Sequence, residues 1–229
     1  MLSRHEEKYI IDYKQYVTLR ERALRLLTPD PNGIMGSYII TSLYFDDYMD
    51  HSLDEKLDGL PEHSKFRIRT YDFSDRMIKL ERKDKQGVLT NKIAAAILTQ
   101  QIPLLDGVNT QLDAFQGGAY DLASQIKAGD FRKKVVVRYQ RDAFFFAGSD
   151  LRLTFDTRLE TIRPEIDALF SSEVSGIPVL DGNSVIMEVK YGSHIPRFVR
   201  QFTAVDTKQL SVSKYALCRE ALVYRGVIT

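Results

Sequence analysis

Polar and apolar residues alternate with a period of two along much of this chain, which predicts strands separated by shorter stretches of helical pattern. Residues 4–11 alternate as a strand, and Asp12 then stands as the N-cap of a helix running to about Leu27. Pro29, Pro31, Asn32 and Gly33 end that helix. A strand from Ser37 to Phe45 leads through Asp46 and Asp47 into a short polar helix ending near Gly59. Ser64 to Tyr71 and Met77 to Lys85 alternate strongly and read as a hairpin across Asp72-Phe73-Ser74-Asp75. Residues 91–127 read as one or two helices broken by Pro103, Asp106 and Gly107, placed outside a sheet or acting as a flap. Strands return at Lys133 to Phe145, Leu151 to Phe155 and Ser184 to Tyr191, with a turn-rich loop over 171–183. A helix from Ser213 to about Tyr224 closes the pattern. With no internal repeat and no long linker, residues 1–229 read as a single α+β domain dominated by antiparallel strands.

Side chains at spacing two share a face of a strand, so the charges report what each face meets. Lys65, Arg67, Arg69 and Tyr71 oppose Phe66 and Ile68, and Lys79, Glu81, Lys83 and Lys85 oppose Ile78 and Leu80, with Arg82 breaking the apolar side. Lys134, Val136, Arg138 and Gln140 oppose Val135, Val137 and Tyr139. Arg152, Thr154, Asp156 and Arg158 oppose Leu151, Leu153 and Phe155, while Glu188 and Lys190 oppose Met187 and Val189. Arg4, Glu6 and Lys8 share a face in the first strand. Ordinary amphipathic strands with one wet face would also alternate. These faces, however, are heavy in Arg and Lys, and the helices need an apolar face to pack on. That combination predicts a sheet turned inside out: a closed antiparallel barrel, charged within and covered by helices outside, for which roughly eight strands is about the smallest size able to hold a ligand. Cations crowded on one face repel one another until an anion joins them, and a polyphosphate carries charge on every unit.

Composition narrows the partner. Lys plus Arg total 32 against 31 for Asp plus Glu, a net charge of +1, so nothing global calls for nucleic acid or a membrane surface, and anion binding has to be local. The lone Cys218 suits a reducing compartment, no run approaches the roughly 18–20 apolar residues of a membrane helix, and the N-terminus is charged where a signal peptide is apolar. A cytoplasmic protein with no direct membrane insertion is expected. His5, His51, His63 and His194 have no metal-ligand spacing and read as surface or packing residues, while Tyr44 and Phe45 read as core.

Several short segments in a fixed order resemble a known family. They are Arg4-His5-Glu6-Glu7-Lys8-Tyr9, Ser42-Leu43-Tyr44-Phe45-Asp46, Phe66-Arg67-Ile68-Arg69-Thr70-Tyr71, Leu80-Glu81-Arg82-Lys83-Asp84-Lys85, Val137-Arg138-Tyr139, Leu153-Thr154-Phe155-Asp156, Met187-Glu188-Val189-Lys190 and Ser213-Lys214-Tyr215. Together they resemble the catalytic domain of the vacuolar transporter chaperone (VTC) family, the polyphosphate polymerase domain of the triphosphate tunnel metalloenzyme, or CYTH-like, superfamily, in a stand-alone bacterial form. The resemblance implies an eight-stranded tunnel, a divalent metal (Mn2+ or Mg2+), and transfer of the ATP γ-phosphate onto a growing inorganic polyphosphate chain. It implies that Lys8, Arg67, Arg69, Lys83, Arg138 and Lys214 bind phosphate and act in catalysis, and that Glu188 holds the metal. Lys85, Arg152 and Lys190 face the same way and join the expected phosphate ligands, and Glu6 and Glu81 join the expected metal ligands. Arg4 stands where the superfamily's opening motif has a glutamate, and an arginine cannot ligate a metal. ATP, polyphosphate, pyrophosphate and triphosphate are the expected partners, with a separate membrane protein if synthesis is coupled to export; the sequence sets no oligomeric state. A triphosphatase acting on the same site, and a non-enzymatic polyphosphate- or nucleotide-binding module, remain open beside the polymerase.

Overall fold

A computed structural model describes residues 5–224 apart from 61, 88, 193–194 and 205–211; Arg4 and His194 lie outside the described residues. Its elements in chain order are β1 (His5–Asp12), α1 (Tyr13–Leu26), β2 (Thr28–Pro29), β3 (Ser37–Asp46), α2 (His51–Leu57), β4 (Glu62–Tyr71), β5 (Ser74–Gln86) and β6 (Leu89–Ile97). They continue with α3 (Gly117–Ala128), β7 (Arg132–Phe145), β8 (Arg152–Ile162), β9 (Ile177–Pro178), β10 (Ser184–Tyr191), α4 (Arg197–Thr203) and α5 (Lys214–Tyr224). The fold is α+β with one large antiparallel sheet. Its strands follow the order β1-β10-β8-β7-β3-β4-β5-β6, with β2 on β7 and β9 on β8. That path has two ends, so the expected eight-stranded barrel is not closed by hydrogen bonds among the described residues. No helix among them is long and apolar enough to cross a membrane.

The chain divides into two compact units. The first comprises residues 1–39, 139–159 and 178–212, the second residues 40–138, 160–177 and 213–229. In the first, α1 begins with a capping box: the Asp12 side chain accepts from the Gln15 N–H at 2.7 Å and the Gln15 side chain accepts from the Asp12 N–H. The helix then lays Leu19 and Ala23 on a core with Ile11, Phe144, Leu153, Phe155, Val185, Met187 and Val189. Apart from Phe144 of β7, the strand residues of this core are the apolar alternates of β1, β8 and β10, which leaves Glu6, Lys8, Arg152, Asp156, Glu188 and Lys190 on the other face, as the alternation predicted.

In the second unit, β4 and β5 pair from Glu62↔Gln86 to Tyr71↔Ser74. Their two-residue turn holds Asp72 and Phe73 at φ 48° and 58°, the left-handed pair that suits strand twist. Phe66, Ile68, Ile78 and Leu80 form a core with Leu43, Phe45 and Val136, capped by Leu122, Ala123 and Ile126 of α3. Arg82, the cation on this apolar side, lies over the Phe66 ring and donates to Asp84 and to Gln125 of α3, so it is spent within the packing.

Besides the two-residue strands β2 and β9, three elements depart from the sequence expectation. Residues 89–97 form strand β6 rather than helix, each from Leu89 to Ile97 paired with β5. Ala94, Ala95 and Ala96 favour helix, but propensity is a weak prior that an available sheet partner overrides. Beyond β6, only α3 is α-helical within 91–127, the remainder being single 3-10 turns and loop. Strand β8 continues to Ile162, past the expected end at Phe155, because Arg158 at φ 52° breaks the alternation without ending the pairing. The α4 helix has no counterpart in the sequence reading.

Candidate functional site

Each unit carries a charged face. In the first, the ladder of β1, β10 and β8 sets Lys8 opposite Glu188, Glu6 opposite Lys190, Glu188 opposite Thr154 and Lys190 opposite Arg152. Lys8 Nζ lies 2.9 Å from Glu6 and 3.6 Å from Glu188, and Lys190 Nζ lies 3.2 Å from Glu188 and 3.7 Å from Glu6. Burial pulls the Lys190 pKa down, and Arg141 and Lys8 add to this, against the pull of Glu188 and Glu6. Arg141, which the sequence reading passed over, grips Asp156 with Nε and Nη2, both at 2.7 Å, and reaches within 3.9 Å of Glu188. Burial would lower its pKa, but Asp156 above all raises it well beyond the usual value. Arg152 donates to the Tyr38 hydroxyl at 2.8 Å and to Asp30 at 3.2 Å. Gly36, at φ +82°, brings that loop against β7, where a Cβ would stand 2.6 Å from the Ala143 carbonyl oxygen.

In the second unit, Arg67 donates from Nε and Nη2 to Oε2 of Glu81, each at 2.7 Å, and from Nη1 to the Tyr44 hydroxyl at 3.0 Å. Arg69 donates to Ser42 at 3.3 Å, and Lys92 of β6 meets the other Glu81 oxygen at 2.5 Å. Tyr44, buried as expected, shares the face of Arg67, while its neighbour Phe45 lies in the core on the other face. Burial would raise the Glu81 pKa, but Arg67, Arg69 and Lys92 bring it down to about 2. Burial likewise opposes ionisation of Tyr44, yet Arg67, Arg69 and Lys214 lower its pKa. Lys83 stands opposite Lys65 and Lys92, and Lys85 opposite His63 and Thr90. Ser213 accepts from Lys65 at 3.2 Å, and Tyr215 stacks near Tyr44 with ring centres 5.1 Å apart while donating to Asp46 at 2.6 Å. Lys214 opens that same helix, α5.

Arg138 does not join Arg67. It shares its side of β7 with Val136, a core residue, and donates to the carbonyls of Val174, Ala168 and Ser171 at 2.8, 2.8 and 3.1 Å. Its guanidinium lies over Phe73. Val135, Val136 and Val137 are all buried, so hydropathy could not say which β7 face was charged, and the expectation of Val137 outside and Arg138 on the cationic face is corrected. The missed residues had a signal: an arginine at the parity of Val135, Val137 and Tyr139 requires a buried partner, and Arg141 has Asp156.

Two of the three expected metal ligands fit a small hard cation. Magnesium or manganese is commonly held by one or two carboxylates and completed by substrate oxygens and water. Glu188 and Glu6 supply such a pair, their oxygens converging on shared lysine heads. Glu81 fits less well, because Arg67 and Lys92 hold its two oxygens at 2.7 and 2.5 Å, closer than the 2.9–3.7 Å at which Lys8 and Lys190 meet Glu6 and Glu188. No group of three or more His, Cys, Asp or Glu able to hold a metal occurs among the described residues.

The VTC domain model matches residues 3–223. The chain belongs to this family. Among solved structures, PH1819 from Pyrococcus horikoshii OT3 aligns with TM-score 0.50 and 11% identity over 95% of this chain and 99% of its own. A candidate adenylate cyclase from Bacillus halodurans aligns at 0.48 and 12% over 100% and 94%, and another from Vibrio parahaemolyticus at 0.49 and 11% over 94% and 97%. At such identity the likeness to PH1819 concerns fold alone. No curated protein matches the VTC-domain chain.

The Glu81 cluster has a pH signature. Its folded pKa of about 2 lies below the ordinary 4.5 of a free glutamate, so its stabilisation is present above about pH 4.5 and lost as pH falls towards 2. At about 1.4 kcal/mol per pKa unit the contribution is roughly 3 kcal/mol. In denaturant titrations, the stability difference between the wild type and Glu81→Gln is expected to shrink across that window. A constant difference would refute the assignment.

Proposed function

We propose that this VTC-domain protein binds the triphosphate of ATP and transfers its γ-phosphoryl group to the end of a growing inorganic polyphosphate chain, in a magnesium- or manganese-dependent reaction in the cytoplasm. The observation that carries the reading, beside family membership, is that buried carboxylates fix the guanidinium groups before any ligand arrives: Glu81 holds Arg67, and Asp156 holds Arg141. Phosphoryl transfer asks a protein for position and charge neutralisation more than covalent chemistry, and such fixed cations supply both.

Arg67, Arg69 and Lys83, and in the other unit Lys8, Arg141, Arg152 and Lys190, bind phosphate oxygens in this proposal. Lys85 and Lys214 join the second unit's phosphate ligands in this proposal, while Arg138 supports the 168–174 loop. Glu188 and Glu6 would hold the metal, which when bound neutralises charge on the transferring phosphoryl group. An oxygen of the acceptor's terminal phosphate forms the new bond to the γ-phosphorus as the bond to the β–γ bridging oxygen breaks, and ADP leaves with that electron pair. If synthesis is coupled to export, a membrane partner receives the polymer.

Incubation with ATP and Mn2+, followed by separation of products by size, tests the proposal. Long polymer supports it, free phosphate alone makes the protein a triphosphatase, and tight salt-sensitive binding without turnover makes it a binding module. Tripolyphosphate at a hundred times its Kd is expected to stabilise the fold by about 2.7 kcal/mol in thermal melts. Arg67→Ala is expected to weaken that binding by about 1.5–3 kcal/mol with or without metal, measured calorimetrically. Unchanged affinity would remove Arg67 from the site.

A further inference from the structure

Arg152 and Thr154 are two residues apart on β8 and therefore share a face, which Asp156 continues. Opposite them in the β10 ladder stand Lys190 and Glu188. Arg152 uses Nη2 for Tyr38 and Asp30. Its Nε is buried, as is the hydroxyl of Thr154, and neither has a hydrogen-bond partner among the described residues. Thr154 is only 2% exposed. Proteins leave few buried polar atoms unpaired, and two such donors side by side require a common explanation. Packing alone does not supply one, since valine has the shape of threonine without the hydroxyl.

The surroundings indicate what the donors await. Lys190 lies opposite one and Arg141 grips the next residue on that face, Asp156, so an anionic oxygen is favoured there over a neutral group. We infer that Thr154 is a substrate-binding residue, whose hydroxyl and Arg152 Nε donate to the same phosphate group. The inference rests on the phosphate-binding reading above and adds a neutral ligand to it. Directly opposed residues in an antiparallel ladder have Cβ atoms about 5 Å apart, so a phosphate held by Thr154 lies beside Glu188. Thr154 thereby sets which phosphate of the chain meets the metal-binding carboxylate.

The test compares wild type, Thr154→Val and Thr154→Ser, using tripolyphosphate as probe in EDTA and in Mn2+, with melting of the ligand-free proteins alongside. Thr154→Val is expected to melt at or above the wild-type temperature without ligand, because no bond is lost, and to bind tripolyphosphate about tenfold more weakly in both media. Thr154→Ser is expected to restore most of the affinity. A lower melting temperature with unchanged affinity would make the hydroxyl a structural group and overturn the inference. A loss seen only with Mn2+ would assign the hydroxyl to metal-bound water and overturn it equally. Failure of the wild type itself to bind tripolyphosphate would sink the underlying reading, whereas normal wild-type binding with an indifferent Thr154→Val sinks only this one.

Discussion

Replacing Asp156 by alanine is expected to cost about 3–5 kcal/mol of folding stability, because it strands the Arg141 guanidinium inside the first unit. Asp156 is fully buried and Arg141 nearly so, and their two hydrogen bonds are both 2.7 Å long. Glu188 at 3.9 Å and the Tyr139 ring at 5.3 Å also lie near Arg141, and neither replaces a bidentate carboxylate. Urea titration measures the loss. The double variant Asp156→Ala, Arg141→Met separates the cost of an unpaired charge from that of an altered shape. It should recover most of the stability, since apolar side chains commonly replace a buried ion pair without penalty. It should also bind tripolyphosphate poorly. A single variant as stable as the wild type would mean that the pair does not fix Arg141.

Glu188→Gln carries the largest expected effect on activity. The amide keeps the size of the side chain and much of its hydrogen bonding, but loses the charge that a hard divalent cation requires. Metal affinity should fall about a hundredfold or more, and metal-dependent turnover with it. Binding of triphosphate in EDTA should survive and even tighten, because a negative charge beside Lys8, Lys190 and Arg141 is removed. The proton balance of Lys190 moves too: burial already lowers its pKa, and without the opposing pull of Glu188 it falls further. The variant's binding should therefore weaken with rising pH sooner than that of the wild type. Full metal-dependent activity in Glu188→Gln would show that the metal sits elsewhere.

Alternation made much of this legible in the sequence. On β4, β5, β8 and β10 one residue in two is apolar and buried in a core, so Arg67, Lys83, Glu188 and Lys190 could be assigned a common polarity from spacing alone. The method fails where both faces of a strand are buried, as along Val135–Val137, and there it chose Arg138 over Arg141. It fails again where pairing overrides local preference, as in the alanines of β6, and so it missed Lys92, the cation that completes the cage around Glu81. Tyr44 is buried as hydropathy indicates, but its hydroxyl's partner, Arg67, is a separate fact that hydropathy does not carry.

The second unit draws its last helix from far along the chain. Tyr215 donates to Asp46 and stacks near Tyr44, Ser213 accepts from Lys65, and Arg219 grips Asp50 through two nitrogens at 2.7 and 2.9 Å. During translation, β3, β4 and β5 leave the ribosome well before this helix does, at roughly 5–20 residues per second. For that interval Lys65, Tyr44, Asp46 and Asp50 lack the contacts that Ser213 and α5 supply. A nascent chain therefore holds Arg67 through Glu81 before Ser213 can engage Lys65, and a product truncated before Ser213 would keep the hairpin of β4 and β5 without the α5 brace.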